Sequence, residues 1–459
     1  MDYKTVKVLL TNNINDECND YLQFACEQSN KLYNSTVYAL RQAHFANCSI
    51  RTFFDKEDLY RASFKLGKVK VSYPQLCKDL KINDHYQAIG GNQGQQTIKS
   101  VVESFKSYNK LLSMWFQGEL SNKPKLPNYR KNGLYQISFV GRDIKFAKDG
   151  LSCYLPIPRS QKDELITGKL NIPCAKGVTA DNIAELRIVP SLGKLWAEYV
   201  YKAPEKKATE LDYSQAIGID SGINNFITAV SNTGKSFILC GKHLKFINQK
   251  YNKTVAQYKE GKSDFYWDDY LNEITHKRNC QIKDSVNKYA RFVINYCLNH
   301  RIGNIVFGWG QGVKSEVNLG KRNNQNFVQL PTARLKNRIK ELAHEVGIKF
   351  AETEESYTSK SSFLDEDLLP KYGEKPKECK FSGKRVQRGL YRTSNGQTIN
   401  ADCLGAINIL KKVSIQLGLN LAEVCRGALT LPKRYRVNDL TKVYRKRSEQ
   451  VLTCVATSA

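Results

Sequence analysis

The stretch AIGIDSGINNF, Ala216–Phe226, decides the fold. AIGID is a short apolar strand that ends in a carboxylate, Asp220. SGINN, Ser221–Asn225, has turn composition, and Phe226–Val230 reads as a second strand. Asn232, Thr233, Gly234 and Lys235 make another turn before a third strand, Ser236–Cys240. Three strands therefore follow one another in a tight meander, with an acid at the tip of the first.

A meander of this kind is the opening of an RNase H-like fold. Downstream, helical sequence fills most of 245–300, and Ile305–Phe307 is a buried strand candidate. Leu335, Ile339 and Leu342 give Pro331–Val346 an amphipathic helical period, Gly347 ends it, and Ile348–Glu355 returns as a strand. Asn400–Leu417 is helical and opens on Asn400, Ala401 and Asp402. This alternation predicts a mixed α/β sheet. Upstream, the linker composition of Ala203–Gln215 (APEKKATELDYSQ) marks a domain boundary. The first half reads as a strand at Thr5–Leu10 and helices at about 15–46 and 95–116. Strands follow at Tyr135–Phe139 and Leu186–Tyr201, the latter a hairpin turned at Pro190–Gly193.

The chain has 459 residues, room for several domains, with 71 Lys plus Arg against 44 Asp plus Glu. A net charge of +27 opposes compaction through self-repulsion, which points to a polyanionic partner. A mean hydropathy of −0.50 and no apolar run near the ~20 residues of a membrane span argue against an integral membrane protein. The first ten residues lack the apolar core of a signal peptide. The 13 cysteines are scattered without a Cys-x-x-Cys pair, which fits reduced thiols and argues against a zinc ribbon. The charge is uneven. Residues 351–370 hold six acids against Lys360 alone, and 375–392 hold seven bases against Glu378.

An acid at the tip of a central strand sits where open α/β sheets gather their ligands. Asp220 and, on the last helix, Asp402 are the first and third candidate acids. Carboxylates converging there would hold Mg²⁺, and two ions roughly 4 Å apart can clamp both oxygens of a phosphodiester displacement. Away from these acids, SNKPKLPNYRK (Ser121–Lys131) places Lys123, Lys125 and Arg130 around Tyr129. Such a segment either tracks a phosphate backbone and stacks a base, or is a solvated linker.

Taken with GIDSGINNF, the segments GKRNNQNFVQLP (Gly320–Pro331), EESYTSKSSFLD (Glu354–Asp365), FSGKR (Phe381–Arg385), RGLYR (Arg388–Arg392) and NADCLGAINIL (Asn400–Leu410) carry a resemblance. The chain resembles the transposon-encoded TnpB nucleases, relatives of the Fanzor proteins and of type V CRISPR effectors. The resemblance implies an RNA-guided DNA endonuclease with a RuvC-type, RNase H-like nuclease domain. It also implies an N-terminal β-barrel wedge interrupted by a helical recognition lobe. On this chain the wedge would be 1–12 and 121–205, the lobe 13–120 and the nuclease domain 213–417. An insert at 361–398 and a basic tail at 418–459, expected to stay disordered until it meets RNA, complete the division.

Two departures from the family pattern follow. The usual second acid, a Glu just after the strand matching Ile305–Phe307, is here Gly308. Either the nuclease is dead and the chain only binds RNA and DNA, or the carboxylate has moved to Glu352, Glu354 or Glu355. The choice falls on Glu355, beside the SYTS turn, so the expected set is Asp220, Glu355 and Asp402. The family's paired cysteines are also missing, Cys379 being the one cysteine in the interval, so no structural zinc is expected. Packing of Phe381, Leu390 and Tyr391 would hold the insert, with Lys384, Arg385, Arg388 and Arg392 facing nucleic acid. The expected cofactor is Mg²⁺, two ions, with Mn²⁺ able to substitute. Expected partners are one guide RNA from the transposon end and double-stranded target DNA bearing a short flanking motif, bound by a monomer without membrane contact. The expected compartment is the prokaryotic cytoplasm, at the nucleoid, or the nucleus of a eukaryotic host. A DDE-type transposase is a weaker third reading.

Overall fold

The computed structural model describes residues 3–52, 71–131, 133–162, 166, 168–203, 210–310 and 330–440. The chain divides into two compact units, Met1–Glu205 and Lys206–Ala459. The division falls inside the expected linker.

In the first unit, β1 (Tyr3–Leu9) leads into the long helix α1 (Asp16–Thr52). Two short helices, α2 (Tyr73–Asp79) and α3 (Asp84–Ile89), precede α4 (Gly91–Phe116). The strands that follow are β2 (Ile137–Val140), β3 (Lys145–Phe146), β4 (Ser152–Leu155), β5 (Leu170–Pro173), β6 (Ile183–Ser191) and β7 (Lys194–Lys202). Leu22, Ala25 and Leu32 of α1 recur at helical spacing and share a core with Phe139, Leu186, Ile188 and Tyr199. Each fully buried leucine, isoleucine or phenylalanine among them contributes roughly 1.5–3 kcal/mol over its exposed state. The strands make two antiparallel sheets, in the orders β1-β7-β6-β2 and β3-β4-β5, where a barrel was expected. Among the described residues no strand pairing joins the two into one barrel. The β6–β7 turn is tighter than expected: Leu192 (φ 51°) and Gly193 (φ 70°) are its two left-handed central residues, and Pro190 belongs to the strand.

The second unit opens with the meander β8 (Asp212–Asp220), β9 (Asn225–Ser231) and β10 (Ser236–Cys240). Helices α5 (Lys242–Tyr258) and α6 (Asp269–Asn299) lead to β11 (Ile302–Gly308), then α7 (Thr332–Glu345) and β12 (Lys349–Thr353). Three short strands, β13 (Lys384–Gln387), β14 (Leu390–Arg392) and β15 (Thr398–Asn400), pair with one another. The chain then enters α8 (Ala401–Leu417), α9 (Arg426–Thr430) and β16 (Lys433–Tyr435). The main sheet runs β12-β11-β8-β9-β10-β16. β9 is antiparallel to β8 and β10, while β11 lies parallel to β8 and β12 parallel to β11. A central first strand, its meander on one side and parallel strands on the other, makes the mixed α/β sheet that the alternation of elements predicted.

Strand alternation divides the sheet's two faces. Ile217 and Ile219 of β8, with Ile305 and Phe307 of β11, pack against Val293, Ile294 and Ile339 of α6 and α7. Ala216 and Val306 face the opposite way, onto Ala406, Ile409 and Leu410 of α8. Gly218 shares that face, and a β-carbon there would lie 2.2 Å from the Ala406 carbonyl oxygen. The missing side chain lets α8 lie directly on the central strand.

One expectation is corrected. Residues 418–440 are not an unstructured tail, because β16 adds a parallel edge strand to β10, pairing Ile238 with Arg434. The free edge of β10 supplies unpaired backbone groups, and three residues suffice to satisfy them. The basic residues Lys442, Arg445, Lys446 and Arg447 lie outside the described residues.

Candidate active site

The same alternation that places Gly218 under α8 turns Asp220 toward that helix. Asp220 ends β8, and a β-carbon on Gly405 would approach its Oδ2 to 2.6 Å. Asp402 stands one turn before Gly405, in the first turn of α8. Asn400 fixes that helix start, its side-chain oxygen accepting from the Asp402 and Cys403 amides at 3.0 and 3.1 Å. In the β11–β8 register Phe307 lies beside Ile219, so Gly308 comes level with Asp220 one residue on.

Glu355 comes to that glycine. A β-carbon on Gly308 would lie 2.8 Å from the Glu355 Oε1 and 3.0 Å from its Cγ. β12 ends at Thr353, so the two glutamates beyond it are freed from strand alternation. Glu354 turns away, ion-paired to Lys412 and accepting from the Ser356 amide at 2.7 Å. Glu352 pairs with Lys336 at 2.6 Å. Of the three candidates, the structure thus brings Glu355 to Gly308.

Burial pushes the Asp220 carboxyl up to about 8, reinforced by the charges of Glu355 and Asp402. Burial likewise raises Glu355, with Glu354 adding repulsion. Among the described residues, neither Asp220 nor Glu355 has an ion-pair partner. Half-buried carboxylates are hard oxygen donors of the kind a divalent cation takes, although Arg385 and Lys412 lie near enough to offset part of the charge on Asp220 and Glu355. Among the described residues, though, no three His, Cys, Asp or Glu side chains are close enough to one another to hold an ion.

The raised Asp220 has a consequence for stability. The folded chain keeps a proton there that the unfolded chain, with an ordinary pKa of about 3.9, releases. Stability at this group therefore falls as pH rises from about 4 to about 8. In metal-free buffer at pH 8, Asp220→Asn melts several degrees above wild type, and the gap closes toward pH 4. Differential scanning calorimetry at the two pH values checks this.

Two neighbours of the acids escaped the sequence reading. Asn225 donates from Nδ2 to the Asp402 Oδ2 at 2.6 Å, and Arg434 donates from Nη1 to the Asn225 Oδ1 at 2.8 Å. Asn225 lies in the quoted turn, and the repeat NN there was its one signal. Arg385, expected to face nucleic acid, stands 3.5 Å from the Asp402 Oδ1.

The insert is built differently from the expected apolar packing. Tyr391 is fully buried, its hydroxyl donating to the Lys360 carbonyl at 2.9 Å, but Phe381 and Leu390 are only half-buried. Two carboxylates carry the rest. Asp365 accepts from the hydroxyls of Ser362, Ser382 and Ser394 at 2.6, 3.1 and 2.7 Å, and Asp367 from the amides of Ser362 and Ser382. Burial opposes the Asp365 charge, yet the Ser362 and Ser394 bonds outweigh it and hold the carboxyl below its usual range. Its stabilisation is present above the ordinary carboxylate range and is lost as pH falls through the lowered pKa. Asp365→Ala costs about 1–3 kcal/mol, measured by urea unfolding at pH 7. Lys384, Arg388 and Arg392 are exposed on β13, β14 and the turn between them.

In the first unit, the basic segment is strapped along α1. Asn34 exchanges bonds with the Arg130 backbone at 2.8 and 3.0 Å, and Arg41 donates to the Pro127 carbonyl at 2.9 Å. The Arg130 guanidinium lies 4.5 Å from the Tyr135 ring centroid and 5.6 Å from that of Tyr33, while Lys123 lies over Trp115. Lys123, Lys125, Tyr129 and Arg130 are all exposed, but Arg130, Lys123 and Tyr129 also meet partners within the protein, Tyr129 lying under the Arg41 guanidinium.

Acids at the tip of a central strand, in the turn after a parallel strand and in the first turn of a facing helix define a class: an α/β domain with carboxylates at one end of its sheet. Residues 198–310 match the OrfB_IS605 family, described as a probable transposase, which bears out the TnpB resemblance. No curated protein matches the sequence. The chain is similar to the structure described as a Cas12f1–sgRNA–target DNA complex, with a TM-score of 0.46 and 14% identity over 86% of this chain and 82% of that one. It is also similar to one described as the mini-RNA-guided endonuclease CRISPR-Cas_phi3, with a TM-score of 0.40 and 12% identity over 89% and 92%. Among the described residues no helix is long and apolar enough to cross a membrane.

Proposed function

We propose that this chain is a transposon-encoded, RNA-guided DNA endonuclease whose RuvC-type site is Asp220, Glu355 and Asp402. The observation that carries the reading is the Glu355 carboxylate lying against Gly308, level with Asp220. A carboxylate that fills the space of an absent side chain is what relocation of the second acid requires.

Two Mg²⁺ ions, or Mn²⁺ in their place, would activate water and stabilise the leaving 3′ oxygen when bound there. The chain's own contribution is placement. Gly405 and Gly308 leave room for Asp220 and Glu355, and Asn225 orients Asp402 by bonding one of its oxygens. Arg385, 3.5 Å from Asp402, is aimed at the strand being cut. No zinc is needed, since Asp365 and Asp367 close the insert with hydrogen bonds. The first unit, with its antiparallel sheets and helices, is proposed as wedge and recognition lobe for a single guide RNA. Base pairing by that RNA would read the target, and the protein a short flanking motif.

A second reading, a nuclease-inactive RNA-guided DNA-binding protein, draws on one observation. Asn225 and Arg385 already engage both Asp402 oxygens, and among the described residues no three acids are close enough to hold an ion. Cleavage of a plasmid carrying the guide-matched sequence separates the two. The endonuclease reading expects cutting by wild type in Mg²⁺ and none by Asp220→Ala or Asp402→Ala. Binding without cutting, in Mg²⁺ and in Mn²⁺, supports the second.

A further inference from the structure

A basic cavity of about 550 Å³ lies where α5 begins and β16 ends, lined by Lys242, His243, Arg434, Arg436 and Asn438. Parallel pairing of β16 with the β10 edge brings Arg434, and Arg436 just past the end of the strand, to the cavity that Lys242 and His243 of the first turn of α5 also line. All four basic side chains are exposed, and none has an ion-pair partner among the described residues. No Asp or Glu lines the cavity among those residues. Asp439 lies close by and accepts from the Arg436 amide at 2.8 Å, which engages its Oδ2 on the backbone.

The cavity is joined to the acids by two hydrogen bonds. Arg434 donates to Asn225 at 2.8 Å, and Asn225 donates to Asp402 at 2.6 Å. Four basic side chains around a cavity that no carboxylate lines, among the described residues, suit a chain that carries phosphates at regular intervals. We propose that Lys242, His243, Arg434 and Arg436 form a phosphate subsite, holding a backbone phosphate next to the one presented to Asp220, Glu355 and Asp402. The subsite rests on the nuclease reading and adds where the neighbouring phosphate of that strand goes. Arg434 belongs to both, so filling the subsite bears on Asp402 through Asn225.

The test is binding, independent of cutting. A 5′-phosphorylated thymidine tetranucleotide is titrated by calorimetry into the full chain in Ca²⁺, with a uridine tetranucleotide as second arm to tell DNA from RNA backbone. Lys242→Ala and Arg436→Ala should each weaken the tighter-binding arm about 5- to 10-fold. The slope of log affinity on log salt should fall by about 0.7 per lost contact. Lys250→Ala, an exposed α5 lysine outside the cavity, should leave both unchanged. Equal affinity in wild type and the Lys242→Ala/Arg436→Ala double variant overturns the subsite, as does failure of wild type to bind either tetranucleotide. Guided cleavage with unaltered tetranucleotide affinity in the variants sinks the subsite and leaves the nuclease reading standing. Cavity-dependent binding by a chain that never cuts does the reverse.

Discussion

Glu355→Gln should lower the rate of guided plasmid cleavage by at least about 100-fold, while Glu354→Gln stays within a few-fold of wild type. The two residues are adjacent and chemically identical, so their environments must make the difference. Glu355 lies against Gly308 without a cationic partner and near enough to raise the Asp220 carboxyl. Glu354 is ion-paired to Lys412, which also donates to the Pro370 carbonyl at 3.5 Å. That pair holds its carboxyl below the usual range despite the cost of burial. The Glu354 substitution should therefore appear as lost stability, of order 1 kcal/mol from a weakened charge-assisted bond, and hardly in the chemistry. Single-turnover kinetics with saturating guide complex read the two separately. Cleavage by Glu355→Gln at the wild-type rate would remove it from the site.

The second large effect is expected at a position that carries no charge, two residues before Asp220. Gly218→Ala puts a β-carbon 2.2 Å from the Ala406 carbonyl oxygen and 2.8 Å from the Leu410 Cγ. The first of these is helix backbone, which cannot rotate aside as a side chain can, so α8 must lift from β8. The cost is about 3 kcal/mol. Gly405 and Asp402 ride on that helix, so cleavage should fall together with stability. Gly168→Ala, whose nearest neighbour would be the Glu17 Oε2 at 4.0 Å, is the control and should change stability by less than about 0.5 kcal/mol. Chemical denaturation of the three proteins gives the comparison, and an unchanged midpoint in Gly218→Ala would contradict the packing described.

These two cases also show what a sequence discloses and what it withholds. The meander was legible because apolar runs and turn residues are local signals, and Asp220 and Asp402 came with it as the ends of recognisable elements. Strand alternation made the 216, 218, 220 face predictable once the helix opposite was known. What could not be read was anything set by distant pairing. Asn225, Asp402 and Arg434 meet only because the sheet and α8 fold together, and nothing in the spacing of 225, 402 and 434 encodes it. KRY at Lys433–Tyr435 reads as a basic tail, since so short a strand has no period of its own and exists through the open edge of β10. The insert misled in a related way. Its apolar residues drew attention, while half-exposed serine–aspartate hydrogen bonds at Asp365 and Asp367 hold it. Arg130 looked free for nucleic acid because its ring partners, Tyr33 and Tyr135, lie far from it or were taken for strand.

The central claim is that Asp220, Glu355 and Asp402 together gather divalent cations. Electron paramagnetic resonance of Mn²⁺ titrated into the metal-free full chain counts them directly. The account predicts two bound ions per chain in wild type and loss of at least one in Glu355→Gln, with Glu354→Gln unchanged. Two ions retained in Glu355→Gln, or none in wild type, would contradict it.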